Sequence, residues 1–223
     1  MKKYYDAAII GGGIGGLMAA YRLIQNSPSL SVILLEKGPD LQHRRCPIVT
    51  NRSDTCVHCP TCAIMEGMAG AGAFSDGKYI ISTEYGGWLT EFISPKTVLE
   101  YIEQADEILV SFGATTERFQ PNNELKKLCL QHDLHMSQAQ LKHLGTDSNY
   151  ETMEKMIRFL EDKVDIYCNA EVLDVDVRSH ALQIQDKQGE HSIKADKILF
   201  AVGRVGSRFF SKWCVKNQIP LQN

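Results

Sequence analysis

No stretch of this chain approaches the roughly 18 unbroken apolar residues that a membrane-spanning helix requires, so no membrane span is expected. Positive charge is not in surplus either. The 24 Lys and Arg stand against 27 Asp and Glu, a net charge of -3, and nucleic acid is therefore not an expected partner, because phosphate-tracking surfaces need a basic face. An even cysteine set is missing: the seven cysteines are an odd number, which argues against a disulfide framework and for a cytoplasmic setting. There is no tandem repeat, low-complexity tract or evident interdomain linker. No Ser-His-Asp or His-Glu arrangement points to hydrolysis, and no catalytic residue is assigned. The basic, then apolar, start has the outline of a secretory leader, but Gly11, Gly12 and Gly13 interrupt it, and a mature strand and turn is the better reading. The 223 residues, 43% of them hydrophobic, have an ordinary globular composition and suffice for one large domain or two small ones.

The first forty residues carry the strongest pattern. Tyr4 to Ile10 reads as a buried strand, and Leu17, Ala20, Tyr21 and Ile24 repeat at helical spacing. Between them Gly11, Gly13 and Gly16 fill GxGxxG, with Ile14 and Gly15 inside the turn. Gly11 permits a tight exit from the strand, Gly13 a close approach of backbone to a pyrophosphate, and Gly16 close packing of helix on sheet. The helix N-terminus then offers free N–H groups and a positive dipole end to phosphates. A second strand, Ser31 to Leu35, ends at Glu36, 20 residues past Gly16 and followed by Lys37. An acid there accepts both ribose hydroxyls of an adenosine and repels a 2′-phosphate. Glu36 is expected to fill no core position, so its replacement should leave the fold intact. FAD and NAD share this fingerprint. The long insertion that follows, rich in Arg, Cys, Pro, Asp and Asn, favours a flavoprotein.

Beyond the insertion the chain reads as a strand at Lys78 to Ser82, a turn at Gly86-Gly87-Trp88, a helix opened by Ser94-Pro95, and a short helix at Asn122 to Leu130. Leu134 to Leu141 is read as a strand. A helix follows Asp147 with Met153, Met156, Ile157 and Leu160 on one face, where methionines are core rather than ligands. Then come strands at Asp165 to Cys168 and Ala170 to Val177, a hairpin around Asp186 to Gly189, and a final apolar strand, Lys197 to Val202. The expected class is α/β: a Rossmann-like FAD/NAD(P)-binding fold with a central parallel sheet, a small antiparallel meander and a partial second lobe. Residues 1–223 are taken as one such domain, incomplete, with an insertion over 40–80 and the partial lobe over 83–145. Cys129, Cys168 and Cys214 stand alone and are expected to be core or half-buried.

Taken together, these segments resemble the two-dinucleotide-binding-domain flavoproteins. The Cys46-Pro47 pair, the Cys56 to Cys62 run and the Gly70-Ala71-Gly72-Ala73-Phe74-Ser75-Asp76-Gly77-Lys78 motif with Gly86-Gly87-Trp88-Leu89 resemble more particularly the bacterial FAD-dependent dehydrogenase, or NAD(P)/FAD-dependent oxidoreductase, family. The resemblance implies an FAD-dependent oxidoreductase acting on a small-molecule substrate or redox partner. It implies cofactor contacts at Gly70, Gly72, Ser75, Asp76 and Lys78, and further contacts at Val172 and at Ala201, Gly203 and Arg204, where the chain passes the cofactor. Read from the residues alone, Ser75 and Asp76 equally cap turns, and Lys78 equally is an exposed turn lysine. Full-length members continue past this point with a substrate lobe and a second FAD-contacting motif, so a missing C-terminal half is an implied partner. The rival reading is a truncated or regulatory dinucleotide-binding module without catalysis.

Four cysteines, Cys46, Cys56, Cys59 and Cys62, fall within seventeen residues. The last three have the C-x2-C-x2-C spacing of an iron–sulfur cluster loop, with Cys46 as a remote fourth ligand. Four thiolates, or three with His58 or His43, equally suit structural zinc. A Cys-x-x-Cys redox pair and a metal-free loop are the other readings. Because Thr50 to Asp54 are polar and give the loop no apolar anchor, ordering it needs a staple. The four thiols are expected to converge on one metal centre.

Overall fold

A computed structural model of the chain describes residues 1–136 and 139–221. The chain divides into two compact units, Met1–Gly72 with the chain from Met156 onward, and Ala73–Lys155.

The first unit is built on a six-stranded sheet. Strands β1 (Tyr4–Ile10) and β2 (Val32–Glu36) flank helix α1 (Ile14–Asn26) in sequence and run parallel, Ala7 opposite Val32 and Ile10 opposite Leu35. Both are almost wholly buried, as strands covered on both faces must be. The helix lays Leu17, Ala20 and Ile24 inward, spaced so that one stripe faces the sheet. The complete strand order is β5-β2-β1-β8-β7-β6, where β5 is Asp165–Cys168, β6 Glu171–Asp176, β7 Ala181–Asp186 and β8 Gly189–Phe200. Four strands are parallel, and β7 and β6 return antiparallel beyond β8. Tyr5, Ala8, Ile33, Leu35, Val172, Leu182, Ile184 and Ile193 belong to one buried hydrophobic cluster built on these strands.

Two expectations are corrected here. The hairpin return and the final apolar strand are one strand, β8. Its first half pairs with β7 and its second half, Lys194 to Phe200, pairs with β1, so no turn is needed between them. The segment after Arg204, to which no element was assigned from the sequence, is helix α5 (Ser207–Lys216). Phe209 and Trp213, four residues apart on one face, pack against Phe200, and the Trp213 indole donates to the Val175 carbonyl at 2.7 Å.

The second unit contains β3 (Lys78–Ile81), α2 (Pro95–Ser111), α3 (Asn123–Gln131), β4 (Gln140–His143) and the start of α4 (Thr146–Glu161). Ser94 and Asn122 cap α2 and α3 by accepting backbone N–H groups, as their positions suggested. Strands β3 and β4 pair antiparallel, Lys78 opposite His143. The strand expected over Leu134 to Leu141 begins later, at Gln140, because its register is set by β3. Ser137 and Gln138 lie outside the described residues. Inside this unit Asp106 and Lys142 are buried together, 2.7 Å apart, with Arg118 at 2.9 Å from the same carboxylate oxygen. A buried ammonium needs such a partner.

No helix among the described residues is long and apolar enough to cross a membrane.

Candidate functional site

At the carboxyl end of β1 the backbone turns through Gly11, whose φ of +109° is open to glycine and strained for other residues. A side chain there would also meet the Ala201 carbonyl oxygen at 2.4 Å. Gly16 lies in the first turn of α1 and faces the strand. A Cβ on it would come within 2.0 Å of the Gly11 carbonyl oxygen. Gly16→Ala must therefore push α1 off the sheet. Overpacking of this kind costs about 1–3 kcal/mol, occasionally more. The variant is expected to unfold at clearly lower urea concentration than wild type; an unchanged midpoint would show that the turn simply yields. Gly15, by contrast, has nothing within 4 Å of where its Cβ would stand. The N-terminus of α1 has no side-chain cap and no acidic residue in its first turn. Its amides and dipole are thus available to an anion.

Glu36 is not the free strand-end acid expected from the sequence. It is 7% exposed, and both its oxygens are engaged: Oε2 accepts from Gly12 N–H at 2.7 Å and Oε1 from Gly38 N–H at 2.8 Å. It ties the glycine turn to the end of β2. Each carboxylate oxygen has more than one lone pair, so the group still has capacity for a ribose hydroxyl.

The opposite wall comes from residues 62–72. Ala69 N–H donates to the Gly12 carbonyl at 2.8 Å, and Met68 N–H to that of Pro39 at 2.9 Å. Ala69 adopts φ +68°, an uncommon conformation for a residue with a side chain, and it is buried. Arg44 holds this segment. Its buried guanidinium donates to the carbonyls of Ala63 (3.0 Å), Ile64 (2.8 Å), Met68 (2.8 Å) and Gly70 (2.7 Å).

Between turn and wall lies a cavity of about 560 Å³, within the size range of cofactor pockets. Of the expected site residues it is lined by Gly11, Gly13, Ile14, Gly15, Glu36, Lys37, Gly70, Gly72, Val172, Ala201, Gly203 and Arg204. Gly16 lies beneath it as a packing residue. Ser75, Asp76 and Lys78 do not line it. They belong to the second unit, where Asp76 pairs with Lys78 at 2.8 Å, and the lysine holds that carboxyl below its usual range. The sequence reading missed Met65, Glu66, Glu171 and Phe209 as lining residues. Only Glu66 carried a signal, as the acid that opens the glycine-rich motif.

The four cysteines do not converge. Among the described residues no group of three or more His, Cys, Asp or Glu side chains is placed to hold a metal. Cys56 and Cys59 are exposed, and Cys46 and Cys62 half-buried. Cys56 to Cys59 form no regular turn, and His58 between them is left-handed at φ +48°. The staple that the polar loop needs is supplied at its end by Arg44, and at its start by a turn in which Thr50 and Arg52 N–H groups donate to the Cys46 and Pro47 carbonyls. Of the remaining cysteines, Cys214 is buried, and Cys129 and Cys168 are half-buried. Burial pushes the Cys168 thiol up to about 12.

The sequence profile of the pyridine nucleotide-disulphide oxidoreductase family matches residues 5–212. The mitochondrial L-2-hydroxyglutarate dehydrogenase of Dictyostelium discoideum is 34% identical over 58 residues, 26% of this chain and 12% of that protein. Among solved structures, the THI4 protein of Thermovibrio ammonificans superposes with a TM-score of 0.55 at 16% identity, covering 98% of this chain and 63% of that one. The 3-ketosteroid-delta4-(5alpha)-dehydrogenase of Rhodococcus jostii RHA1 gives 0.54 at 12% identity, covering 89% and 46%. At these identities the likeness is one of fold. The chain spans about an eighth of the curated relative and about half to two thirds of the two structures. With a glycine turn, strand-end acid and parallel sheet in place and the family profile running almost end to end, the chain belongs to the pyridine nucleotide-disulphide oxidoreductase family of Rossmann-type FAD/NAD(P)-binding oxidoreductases.

Proposed function

We propose that the chain is the FAD-holding part of an oxidoreductase that acts on a small-molecule substrate or redox partner, completed by a further segment or subunit. One observation carries the reading: a cavity of about 560 Å³ bounded by an uncapped helix N-terminus, the side chain of Glu36 and the close-packed wall at Met65 to Gly72. That donor set fits a dinucleotide. The amides of Ile14 and Gly15 suit the pyrophosphate, Glu36 the adenosine ribose, and Ala201 to Arg204 the far end. The flavin supplies the electron chemistry when bound, and the chain supplies position and field. On this reading the unit Ala73–Lys155 is a lobe inserted into an incomplete dinucleotide-binding domain.

The second reading is a dinucleotide-holding module without catalysis, in which the same cavity holds the dinucleotide and no residue of the chain acts on a substrate. Both readings predict that purified protein, once denatured, releases FAD that liquid chromatography identifies. Release of NAD alone would overturn the choice of flavin. Reduction of the bound flavin by a nicotinamide cofactor or substrate extract separates enzyme from module: a spectrum that stays oxidised under every donor supports the module.

A further inference from the structure

We propose that Glu66 is a specificity-determining residue of the cavity: by holding Lys37 in an ion pair, it makes the site select an adenine dinucleotide with a free ribose 2′-hydroxyl over its 2′-phosphorylated form. The inference rests on the dinucleotide reading above.

Lys37 follows Glu36 at the exit of β2, and both line the cavity. In folds of this kind the strand-end acid faces the adenosine ribose, and a cation close by is what accommodates a 2′-phosphate. Lys37 stands in that position. Its ammonium, however, lies 2.8 Å from Glu66 Oε2. The Glu66 side chain is only 11% exposed, and it is not free to swing away. Its other oxygen faces the Cys62 N–H at 3.3 Å, and its own N–H donates to the Cys62 carbonyl at 2.8 Å. Arg44 fixes the chain on both sides of it, through the carbonyls of Ala63 and Ile64 before and Met68 and Gly70 after.

The charges converge on the same conclusion. The Lys37 ammonium is held protonated above its usual range, first by its bond to Glu66 and against partial burial, with the charges of Glu66, Glu171 and Glu36 adding to it. Lys37 thus stands among three carboxylates, and with Arg204 also in the lining the cavity keeps an excess of one negative charge. A hydroxyl entering there meets no penalty. A 2′-phosphate meets surplus negative charge and a lysine that is already neutralised, which is discrimination by repulsion.

The test is calorimetric titration of FAD-free protein with AMP and with adenosine 2′,5′-bisphosphate. Wild type is expected to bind AMP about tenfold or more tightly than the bisphosphate, the scale of a like-charge juxtaposition. Glu66→Gln keeps the acceptor for Cys62 but frees Lys37, and should narrow the ratio to about threefold or less, chiefly by improving the bisphosphate. Adding Lys37→Met to it should restore the preference for AMP. Lys37→Met alone should keep the wild-type ratio or widen it, and it serves if Glu66→Gln does not fold. A wild type that binds both ligands equally, a Glu66→Gln ratio equal to wild type, or a ratio that collapses in Lys37→Met overturns the proposal while leaving the dinucleotide reading intact. Folded wild type that binds neither ligand overturns both.

Discussion

Arg44→Met is expected to lower the stability of the protein by at least about 3 kcal/mol, since hydrogen bonds to a charged group contribute about 1.5–3 kcal/mol each and this one group makes four. Methionine fills much the same volume, so packing is nearly conserved and the polar loss dominates. The carbonyls of Ala63, Ile64, Met68 and Gly70 lose their guanidinium donor. Those at Met68 and Gly70 lie in the tightly folded wall that carries the left-handed Ala69. With total stability of a domain at about 5–15 kcal/mol, such a loss is a large fraction of the whole. Urea unfolding followed by fluorescence reads it, and limited proteolysis should show new cleavage between residues 62 and 72 before global unfolding. Arg44→Lys is the informative control. A point ammonium cannot span carbonyls on two sides of a loop as a planar fork does, so lysine should recover little. A methionine variant with the wild-type midpoint would mean that the wall is held by its backbone bonds alone.

Glu36→Ala is the second large effect, and it reaches the fold, which the sequence reading expected to stay intact. The substitution strands the Gly12 and Gly38 amides, each at about 1–3 kcal/mol when no replacement partner arrives. It opens a void under the glycine turn as well. The apo-protein should therefore lose stability before any ligand is considered, and FAD affinity should fall further because the turn that presents Ile14 and Gly15 is no longer tied to β2. Paired measurements separate the two: the urea midpoint of FAD-free protein for the structural part, FAD titration for the remainder. Normal apo stability with reduced FAD affinity would restore the simpler picture of an acid that faces only the ribose. Glu36→Gln should be milder in apo stability, as its oxygen still accepts from one amide.

These two residues show what was legible in the chain and what was not. The βαβ unit was readable because its signals are local: an apolar run, a glycine pattern, a helical stripe and an acid within 36 residues. The partners of Glu36 were not, because the amides that reach it come from Gly12 and Gly38 and carry no side-chain signature. The cysteine loop was read as a metal site on sound reasoning about ordering entropy. The device that orders it is one arginine among many charged residues, and nothing in its neighbours marks it. The long β8 was split in two because its halves serve different neighbours, β7 and β1, and each half has its own pattern. Helix α5 was overlooked because its apolar positions are aromatic and clustered, Phe209, Phe210 and Trp213, and its partner Phe200 lies in the preceding strand. Gly11, Gly13, Gly15, Gly70, Gly72 and Gly203 were found because backbone approach selects glycine by a rule that sequence displays; Gly67, Gly206 and Met65 line the cavity only through tertiary placement.

The position of β8 has a temporal consequence. During synthesis β1 emerges first and finds β2 within a few tens of residues, but its other edge is bonded only by β8, near the far end of the chain. Until the ribosome has delivered Lys194 to Phe200, an apolar strand at what will be the middle of the sheet has one bare row of N–H and C=O groups. Pairing of such sequence-distant strands is slow, since loop closure must precede any reward. An exposed apolar edge also invites pairing with other chains. The β8-facing edge of β1 therefore stays open in a nascent chain until Lys194 to Phe200 has emerged, and any ribosome stalled before Gly189 leaves it open for as long as the stall lasts.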